Sequence, residues 1–550
     1  MRDVLFSARY TMNLLLDPWI PLRRRSGAVE TVPPWRITDR HQEDPFTGFA
    51  SVRPDFDGAL AQFLIGLLQT ALPPEDPRDW RRRFGSPPSP DSLREAFQPL
   101  AYAFELFGDG PRFLQDLRLE EEDPSEERIE RLLIEAPGES TLRQGKDHFV
   151  KAGQIEVLCP SCAAMALLTL QVNAPSGGQG HRTGIRGGGP LTTLVVDPDN
   201  LWQSLWLNVL LAEVLAGEPT GRDRPEDRFP WLAPTRTSGK AGGRDTTLAD
   251  VHPLQMYWAM PRRIRLRSGS STEPEGAVCS LCAGSGRPLV RTFLNRNLGV
   301  NYTGPWKHPL TPYRKTDAED LPLHGSPAGL SYRDWLGLVQ NNPDRQIRPA
   351  VVISTFLGDT SRRSRADYRL WAFGYDMDNM KARAWLDGRM PLLFVAPEHR
   401  ETFEKDVHRL ISAAAEAAGA LVFAAKRALT DRPKEMAHDP ADVGVRFWQE
   451  TEAPFYDHLQ QIRAILEAGG EDTTALRRHW LSQLWRTANA AFRTVTIIGS
   501  FEAADPKRAA MAWNGMQAFF RSAKLQEVLR LPVPPKKGGK KAAGTTGEVP

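Results

Sequence analysis

Two different patterns of apolar positions divide this chain of 550 residues. From about Leu14 to Phe394, short apolar runs separated by irregular loops predict a mixture of strands and helices. Runs that alternate or are rich in β-branched residues predict strands at Thr192–Val196, Arg262–Arg267, Ala350–Thr355 and Tyr368–Phe373. Apolar residues at helical spacing predict helices at Gly58–Leu72 and Leu201–Leu215.

Helical periodicity dominates after Pro397. An unbroken ladder of residues four apart runs through Leu476, Trp480, Leu484, Ala488 and Phe492. Four helical segments are predicted at about 399–430, 440–468, 474–498 and 505–530. Because the connections between them are short, the segments predict an up-down four-helix bundle.

The predicted fold is therefore α+β, with a large mixed α/β N-terminal domain followed by the C-terminal four-helix bundle. We expect a possible extension at 1–11, the mixed domain at 12–396, the bundle at 397–531 and a disordered basic tail at 532–550. The tail is rich in Pro, Gly and Lys, a composition that cannot bury a core.

Composition limits the class of protein. A net charge of +3 excludes a generic polycation, so any nucleic-acid contact must come from local patches. Cysteine is scarce, which favours a reducing, cytoplasmic location. The first residues lack the apolar core of a signal peptide. The uncharged stretch from Gly58 to Pro74 is shorter than a membrane span, so no membrane association is predicted.

The four cysteines form two C-x-x-C pairs with none left over. Cys159 and Cys162 make the first pair, and Cys279 and Cys282 the second. Two such pairs supply the four thiolates of a structural Zn²⁺ site, which would staple two distant segments of one domain. The alternative is two unrelated pairs of reduced thiols.

A glycine-rich loop occupies Pro175–Pro190. Its glycines let backbone amides approach a ligand closely, and Arg182 and Arg186 add positive charge, which favours phosphate. The Gly-Lys-Ser/Thr of a P-loop and the strand–helix flanks of a Rossmann loop are missing, so a nucleic-acid backbone or groove is the better ligand. A surface loop without a ligand is the alternative.

Two arginine clusters are further candidates for phosphate contacts. As a strand, Arg262–Arg267 places Arg263, Arg265 and Arg267 on one face. The second cluster precedes a predicted hairpin and contains Arg362, Arg363, Arg365 and Arg369. Either cluster is equally well explained as a solvated surface.

The predicted hairpin has a long tip at Gly374–Met380. Met377 and Met380 beside Asn379 are apolar side chains of the kind that wedge between base pairs, although methionine is also a common core filler. Standard catalytic motifs such as H-E-x-x-H and G-x-S-x-G are absent from the sequence.

Several of these segments, in this order, resemble CasA, the large subunit of Cascade, the type I-E CRISPR RNA-guided surveillance complex. The resemblance extends from Met12 to about Leu531. It rests on the opening Asn13–Pro21, Phe149–Lys151, both cysteine pairs, Gly184–Gly188 with Pro190–Thr193, Trp306–Pro309, and Gly374-Tyr375.

The resemblance implies a non-catalytic role. Such subunits recognise the protospacer-adjacent motif (PAM) of double-stranded target DNA, largely from the minor groove. They help to open the duplex for the guide RNA, hold the displaced strand and recruit the effector nuclease–helicase. The implied partners are target DNA, CRISPR guide RNA, the other Cascade subunits and that nuclease–helicase.

The resemblance also assigns residues. Phe149, Val150 and Lys151 match the loop at the PAM and the guide end. Ser176, Gly177, Gly178, Gln179 and Gly180 match the PAM-reading loop, with Arg182 beside it. Arg296 or Asn297 stands near a PAM-contacting lysine, and the choice between them is open. Asp378, Asn379, Met380 and Lys381 match the wedge, where relatives carry glutamine and alanine at the positions of Asn379 and Met380. Asp376 and Asp378 are unexpected near phosphates.

Basic residues of the last predicted helix could line a channel for the displaced strand, or could simply be solvated. They are Lys507, Arg508, Arg521 and Lys524. Two other functions compete with the PAM-reading role. One is a zinc-stabilised nuclease or nucleotide-dependent nucleic-acid enzyme that uses the glycine-rich loop as its active site. The other is a purely structural scaffold.

Overall fold

The structure is a computed structural model of the chain. It describes residues 10–138, 142–143, 150–215, 221–239, 242–267, 276–286, 288–359, 368–378, 381–436, 440–498 and 505–532. The chain forms two compact units. The first comprises Met1–Leu330 and Asp334–Leu392, and the second comprises Ser331–Arg333 and Leu393–Pro550. The four domain ranges given above stay predictions.

Among the described residues, the first unit contains four antiparallel sheets of three strands each. Their strands are β1 (Ile20–Arg24), β2 (Val29–Val32), β3 (Phe46–Phe49), β4 (Ser125–Arg128), β5 (Thr192–Val196), β6 (Arg263–Leu266), β7 (Thr292–Arg296), β8 (Tyr313–Lys315), β9 (Asp320–Pro322), β10 (Ile347–Arg348), β11 (Arg369–Asp378) and β12 (Lys381–Pro391). The strand orders are β2-β1-β3, β4-β7-β6, β10-β8-β9 and β12-β11-β5.

Helices of very different lengths surround these sheets. They are α1 (Pro54–Ala71), α2 (Pro77–Gly85), α3 (Pro90–Phe97), α4 (Pro160–Asn173), α5 (Leu201–Trp206), α6 (Ala212–Leu215), α7 (Pro225–Arg228), α8 (Trp335–Leu338) and α9 (Val351–Gly358). In the core, Phe63 of α1 makes edge-to-face contacts with Trp19, Phe104, Phe113 and Trp258.

Two of the predicted elements are wrong. The predicted strand Ala350–Thr355 is the helix α9, which buries Val352, Ile353 and Phe356 at helical spacing, so packing overrides the β-branched run. The predicted helix Leu201–Leu215 is interrupted after α5. Asn208 leaves the helix because its side chain accepts a hydrogen bond from Val195 N at 2.9 Å and donates one to Val195 O at 2.8 Å.

The predicted hairpin is confirmed, but its tip is shorter than expected. Residues 374–378 are not loop: they continue β11 and pair with Lys381–Leu386 of β12. Between the strands only Asn379 and Met380 remain, and both lie outside the described residues. Met377 therefore belongs to a strand and not to a protruding tip.

The second unit is helical. Its helices are α10 (Arg400–Leu429), α11 (Val443–Glu467), α12 (Thr474–Arg493), α13 (Pro506–Phe520) and α14 (Ala523–Val528), and a π-helical turn at Thr494–Ile498 extends α12. Each long helix starts within about three residues of the position predicted from the sequence. Helix α10 packs against α11, α12 and α13, and buries an alanine-rich face.

By length and composition, Pro397–Leu429 would be long enough to cross a membrane, with a mean hydropathy of 1.3 and 44% of that window buried. Core helices pass the same test. The packing of α10 against its three neighbours accounts for its apolar face without a membrane.

Candidate nucleic-acid interface

The glycine-rich loop connects the end of α4 to the start of β5 and is closely folded on itself. Gly177 pairs with His181, and Gly184 with Gly187, as isolated bridges. A single 3-10 turn spans Gly178–Gly180. Ser176 and Gly178 are exposed, and the Gln179 side chain lies outside the described residues. The loop therefore presents backbone and a hydroxyl to solvent from a fixed conformation.

The loop is joined to the turn that follows β7. Leu298 N donates a hydrogen bond to Gly180 O at 3.0 Å. A Cβ on Gly180 would lie 2.4 Å from Leu298 Cδ2. This packing places Asn297 and Arg296 next to the glycine-rich loop, as the sequence resemblance requires. Arg296 is 43% exposed and lies 3.7 Å from Glu122.

A third segment, which contains Ser238, also connects the glycine-rich loop to the turn after β7. Arg182 Nε donates a hydrogen bond to Ser238 Oγ at 2.8 Å, and Ser238 Oγ donates to Gly299 O at 2.8 Å. Ser238 N also donates to Leu298 O at 3.1 Å. Arg182 is thus engaged within the fold, where it ties the glycine-rich loop to the turn after β7.

The far end of the loop packs against the hairpin. A Cβ on Gly189 would lie 2.8 Å from Met377 and 2.9 Å from Tyr375 Cβ, and Gly189 has a positive φ of 64°. Asp378, the last residue of β11, and Lys381, the first residue of β12, are exposed. The residues assigned to the wedge therefore emerge from strands that contact the far end of the glycine-rich loop.

Asp376, unexpected near phosphate, is 2% exposed and faces inward. It accepts two hydrogen bonds from Arg383 of the partner strand, at 2.9 and 2.7 Å. Its charge is thus neutralised by Arg383. Asp378 lies 3.8 Å from the same guanidinium.

A buried polar network anchors the hairpin to the N-terminus of α1. Tyr375 donates a hydrogen bond to Asp55 at 2.7 Å. Arg53 donates to Asp55 at 2.9 Å and to Glu135 at 2.7 Å. Burial, with the Asp55 charge next in importance, raises the pKa of the Tyr375 hydroxyl well above its usual range. The hydroxyl stays a donor, and the base of the hairpin is held rigidly.

Arg186 is not available to phosphate, contrary to the prediction. It is 5% exposed and donates to Thr192 and Thr311 at 3.0 Å each and to Gln62 at 2.5 Å. Burial lowers its pKa to about 10. Its partners come from α1, β5 and the segment before β8, so Arg186 is a structural hub.

The predicted basic face of β6 is also wrong. Arg263 and Arg265 are 3% and 4% exposed and point inward. Arg263 Nε contacts Asp116 at 2.6 Å and its Nη2 contacts Glu122 at 2.7 Å, while Arg265 lies 3.4 Å from Glu120. Arg267 remains 49% exposed. Arg369 is exposed, whereas Arg362, Arg363 and Arg365 lie outside the described residues.

A cavity of about 340 Å³ lies between the glycine-rich loop and the β4-β7-β6 sheet. Ser176, Gly177 and Gly178 form one wall, and Asn295 of β7 forms part of another. Gly138 also lines it. In that loop Phe149 lies outside the described residues, Val150 is 6% exposed and Lys151 is exposed.

The four cysteines converge although their pairs are distant in sequence. Their sulfur atoms all lie within 4.8 Å of one another, and Cys159 Sγ is 3.7 Å from Cys282 Sγ. Cys159 caps α4, and Ser280 N donates to Val157 O at 2.9 Å, which holds the two pairs together. A hydrogen bond with Cys159 raises the pKa of the buried Cys162 thiol far above its usual range.

The basic residues proposed for the displaced strand lie on the last helices. Lys507, Arg521 and Lys524 are exposed. Lys524 pairs with Glu416 at 2.7 Å, and Arg508 with Asp431 at 3.0 Å.

A sequence profile described as CRISPR-associated protein Cse1 matches residues 13–491. The chain belongs to the Cse1 family. The resemblance to CasA seen in the sequence is thereby confirmed.

Solved Cse1 structures share the fold. CasA (Cse1) from Thermus thermophilus has a TM-score of 0.65 and 20% identity, covering 92% of this chain and 99% of that one. Cse1 from Acidimicrobium ferrooxidans has a TM-score of 0.66 and 18% identity, covering 95% and 99%. A chain of a structure described as a CRISPR RNA-guided surveillance complex has a TM-score of 0.63 and 18% identity, covering 93% and 100%.

Sequence reasoning missed several residues that build this corner of the Cse1 fold. Leu298 and Ser238 position the candidate residues but belong to no recognisable motif, and the Gly374-Tyr375 pair gives no sign of the hydrogen bond from Tyr375 to Asp55. The arginine run Arg262–Arg267 contains Arg262 but does not by itself distinguish it from the other arginines. The alternation of the strand was the available signal, since it separates Arg262 and Ile264 from Arg263 and Arg265.

Proposed function

We propose that this Cse1-family chain is the non-catalytic subunit of a CRISPR RNA-guided surveillance complex that reads the PAM of double-stranded DNA. One observation carries the proposal: the glycine-rich loop contacts both the turn at Asn297–Leu298 and the hairpin strand at Met377. Three segments far apart in sequence are thus linked by direct packing, which supports their meeting one groove of DNA.

The chemistry of this surface suits the minor groove. That groove distinguishes mainly A·T from G·C pairs, so a loop of small residues with a serine and backbone amides suffices for coarse reading. Ser176, Gly177, Gly178, Gln179 and Gly180 would approach the base edges. Arg296 or Asn297 would contact the same base pairs from the adjoining turn, while Arg182 holds the loop in place.

The hairpin would open the duplex beside the PAM. Unstacking a base step costs a few kcal/mol, which a rigidly held wedge can offset. Asn379 and Met380 would enter the duplex, flanked by Asp378 and Lys381. The Tyr375–Asp55 hydrogen bond supplies the rigid base. Guide pairing then reads the sequence proper.

The PAM-reading role also implies contacts with the guide RNA, the other subunits, the displaced strand and a nuclease–helicase. Phe149, Val150 and Lys151 would lie at the guide end beside the PAM, and the other subunits of the complex would surround this loop. The C-terminal helices would form a four-helix bundle whose Lys507, Arg508, Arg521 and Lys524 line the path of the displaced strand. The chain would act in the cytoplasm, away from membranes, and recruit a nuclease–helicase.

A structural zinc ion fits the cysteine cluster. Tetrahedral coordination with zinc–sulfur distances of about 2.3 Å places sulfurs roughly 3.8 Å apart, close to the 3.7 Å between Cys159 and Cys282. Four thiolates this close would repel each other without a cation. Zinc would supply folding energy only, and Cys159, Cys162, Cys279 and Cys282 would hold it.

The absence of a catalytic role is part of the proposal. Of the two arginines that an active site at the glycine-rich loop would use, Arg186 is buried against neutral oxygens and Arg182 bonds Ser238. Turnover of labelled DNA or ATP by the purified chain that disappears in Arg182→Ala would contradict this.

The test is a gel-shift series of the complex reconstituted with its guide, on duplexes that differ only at the PAM. We expect affinity to depend on the PAM, and Asn379→Ala with Met380→Ala to reduce duplex binding while sparing a target already unpaired beside the PAM. Arg432→Ala, an exposed residue of the C-terminal unit, is the control. Equal affinity for all duplexes, or an unchanged double variant, would refute the proposal.

A further inference from the structure

Arg262 is a buried cation without a carboxylate partner among the described residues. Its side chain is 9% exposed. It donates one hydrogen bond to Pro175 O of the glycine-rich loop, while its buried Nε has no partner in the described part of the chain. Burial lowers the pKa of Arg262 to about 10 with no offsetting carboxylate. A buried charge left in this state is costly.

The other buried arginines of this region make more hydrogen bonds or ion pairs than Arg262 does. Arg263 contacts Asp116 and Glu122, and Arg186 donates to three neutral oxygens. Because side chains alternate along a strand, Arg262 and Ile264 face away from the acidic residues that hold Arg263 and Arg265. Both Arg262 and Ile264 line the cavity of about 340 Å³ behind the glycine-rich loop.

The cavity wall also supplies hydrogen-bond donors among its apolar side chains. Ser176, His181, Asn295 and Arg131 offer donors, and Gly177 and Gly178 bring backbone close. Glu127 also lines the cavity, but it pairs with Arg131 at 3.1 Å. That leaves the Arg262 charge uncompensated. Small residues on the loop side leave room for a phosphate with part of its sugar.

We propose that this cavity binds a backbone phosphate of the target DNA, with Arg262 as its buried cation. The inference rests on the proposed function for the identity of the strand, but not for the anion site itself. A phosphate held here would lie against the glycine-rich loop and so fix the register of the PAM on the protein. Arg262 would be a positioning contact, indifferent to base sequence.

The anion site is tested on the full chain alone, with inorganic phosphate as the probe. The thermal midpoint is measured in potassium phosphate and in potassium chloride at equal ionic strength. Ligand binding to the folded state raises the midpoint. We expect phosphate to stabilise the wild type and Arg267→Gln, an exposed neighbour outside the cavity, but not Arg262→Gln. Arg262→Lys should keep part of the response.

A second variant keeps the test decisive if Arg262→Gln folds poorly. Asn295→Asp places a carboxylate in the cavity while retaining Arg262. The new carboxylate should raise the midpoint in chloride and abolish the response to phosphate. A phosphate response equal to wild type in Asn295→Asp, or in folded Arg262→Gln, would overturn the anion site.

The DNA assignment is tested on the reconstituted complex by the salt dependence of binding. Each phosphate contact contributes roughly −0.9 to the slope of log affinity against log salt. Arg262→Gln should remove about one such contact and weaken binding on the order of ten-fold, equally for all PAM sequences. An unchanged slope beside a lost phosphate response would overturn DNA as the ligand. A wild-type complex without PAM preference would instead refute the proposed function and leave the anion site standing.

Discussion

Gly180 and Leu298 fit together so closely that no other residue can replace the glycine without displacing its neighbour. Leu298 N bonds Gly180 O at 3.0 Å, Leu298 Cδ2 lies 2.4 Å from where a Cβ would be, and the φ of Gly180 is +85°. Gly180→Ala should therefore cost about 1–2 kcal/mol of stability and separate the loop from Asn297. The reconstituted complex should lose PAM-dependent affinity, as measured by gel shift.

Gly178→Ala is the matched control, since Gly178 lies in the same turn, has no positive φ and meets no atom within 4 Å of an added Cβ. It should change neither stability, measured by urea denaturation, nor the packing of Leu298. Equal losses of stability in Gly178→Ala and Gly180→Ala would mean that backbone freedom of the whole turn, and not the Leu298 contact, accounts for the effect.

Zinc should be measurable in the purified chain. We expect about one equivalent per chain, and we expect Cys279→Ser to lower the unfolding transition of the first unit more than that of the helical unit, because metal binding contributes folding free energy. Elemental analysis and calorimetry measure the two effects.

Ser161→Ala controls for disturbance of the first cysteine pair, because Ser161 lies between Cys159 and Cys162 and offers no thiolate. It should retain zinc and the wild-type transition. Fully folded wild-type protein that contains no metal after purification in zinc-supplemented medium would refute the assignment.

The stability of the first unit should depend on pH through Asp57 of α1. Burial, with the charges of Asp387 and Asp55 contributing, raises the pKa of Asp57 to about 6. The folded state thus binds a proton more tightly than the unfolded chain, so this group's contribution to stability falls as pH rises from about 4 to about 6. Asp57→Asn keeps an acceptor for Ser51 N, bonded at 3.0 Å in the wild type, without the charge.

The free energy of unfolding of Asp57→Asn, relative to that of wild type, should therefore increase by about 1–3 kcal/mol between pH 4 and pH 7. Urea denaturation at several pH values measures it. Asp91→Asn, an exposed carboxylate in the first turn of α3, should show no such growth. A difference between Asp57→Asn and wild type that stays constant with pH would show that folding does not raise the pKa of Asp57.

The features that the sequence predicted well are those set by residues close together in the chain. The cysteine pairs converge because ligand number and spacing are set within each pair, and the long C-terminal helices follow from a period that extends over many residues. The family could be identified from the sequence because its motifs follow one another in this chain in the same order as in the family.

Features that depend on contacts between distant parts of the chain could not be predicted from the sequence. Which face of β6 points inward depends on Asp116 and Glu122, which lie far away in the chain, so Arg263 looked exposed and is buried. Arg186 looked like a ligand contact but satisfies Gln62, Thr192 and Thr311. The hairpin tip looked long because Gly374 suggested a turn, whereas its missing side chain instead admits Pro190 O, 2.6 Å from the Cβ position.

Tyr332 offers a test of how the second unit is assembled. The three residues Ser331–Arg333 belong to this unit although the rest of it begins at Leu393. Tyr332 is completely buried and stacks on Phe455 with ring centroids 4.3 Å apart. Because the Thr451 hydroxyl donates to Phe447 O at 2.6 Å, the Tyr332 hydroxyl is the donor in its 2.8 Å bond to Thr451.

Removal of the Tyr332 ring should leave a cavity between α11 and the inserted segment. Tyr332→Ala should cost about 3–5 kcal/mol, whereas Tyr332→Phe keeps the stacking and should cost about 1 kcal/mol. Calorimetry of the full chain should place both losses in the transition of the helical unit. If Tyr332→Ala instead lowered only the transition of the first unit, residues 331–333 would belong to that unit, and the second unit would fold from Leu393 onward without them.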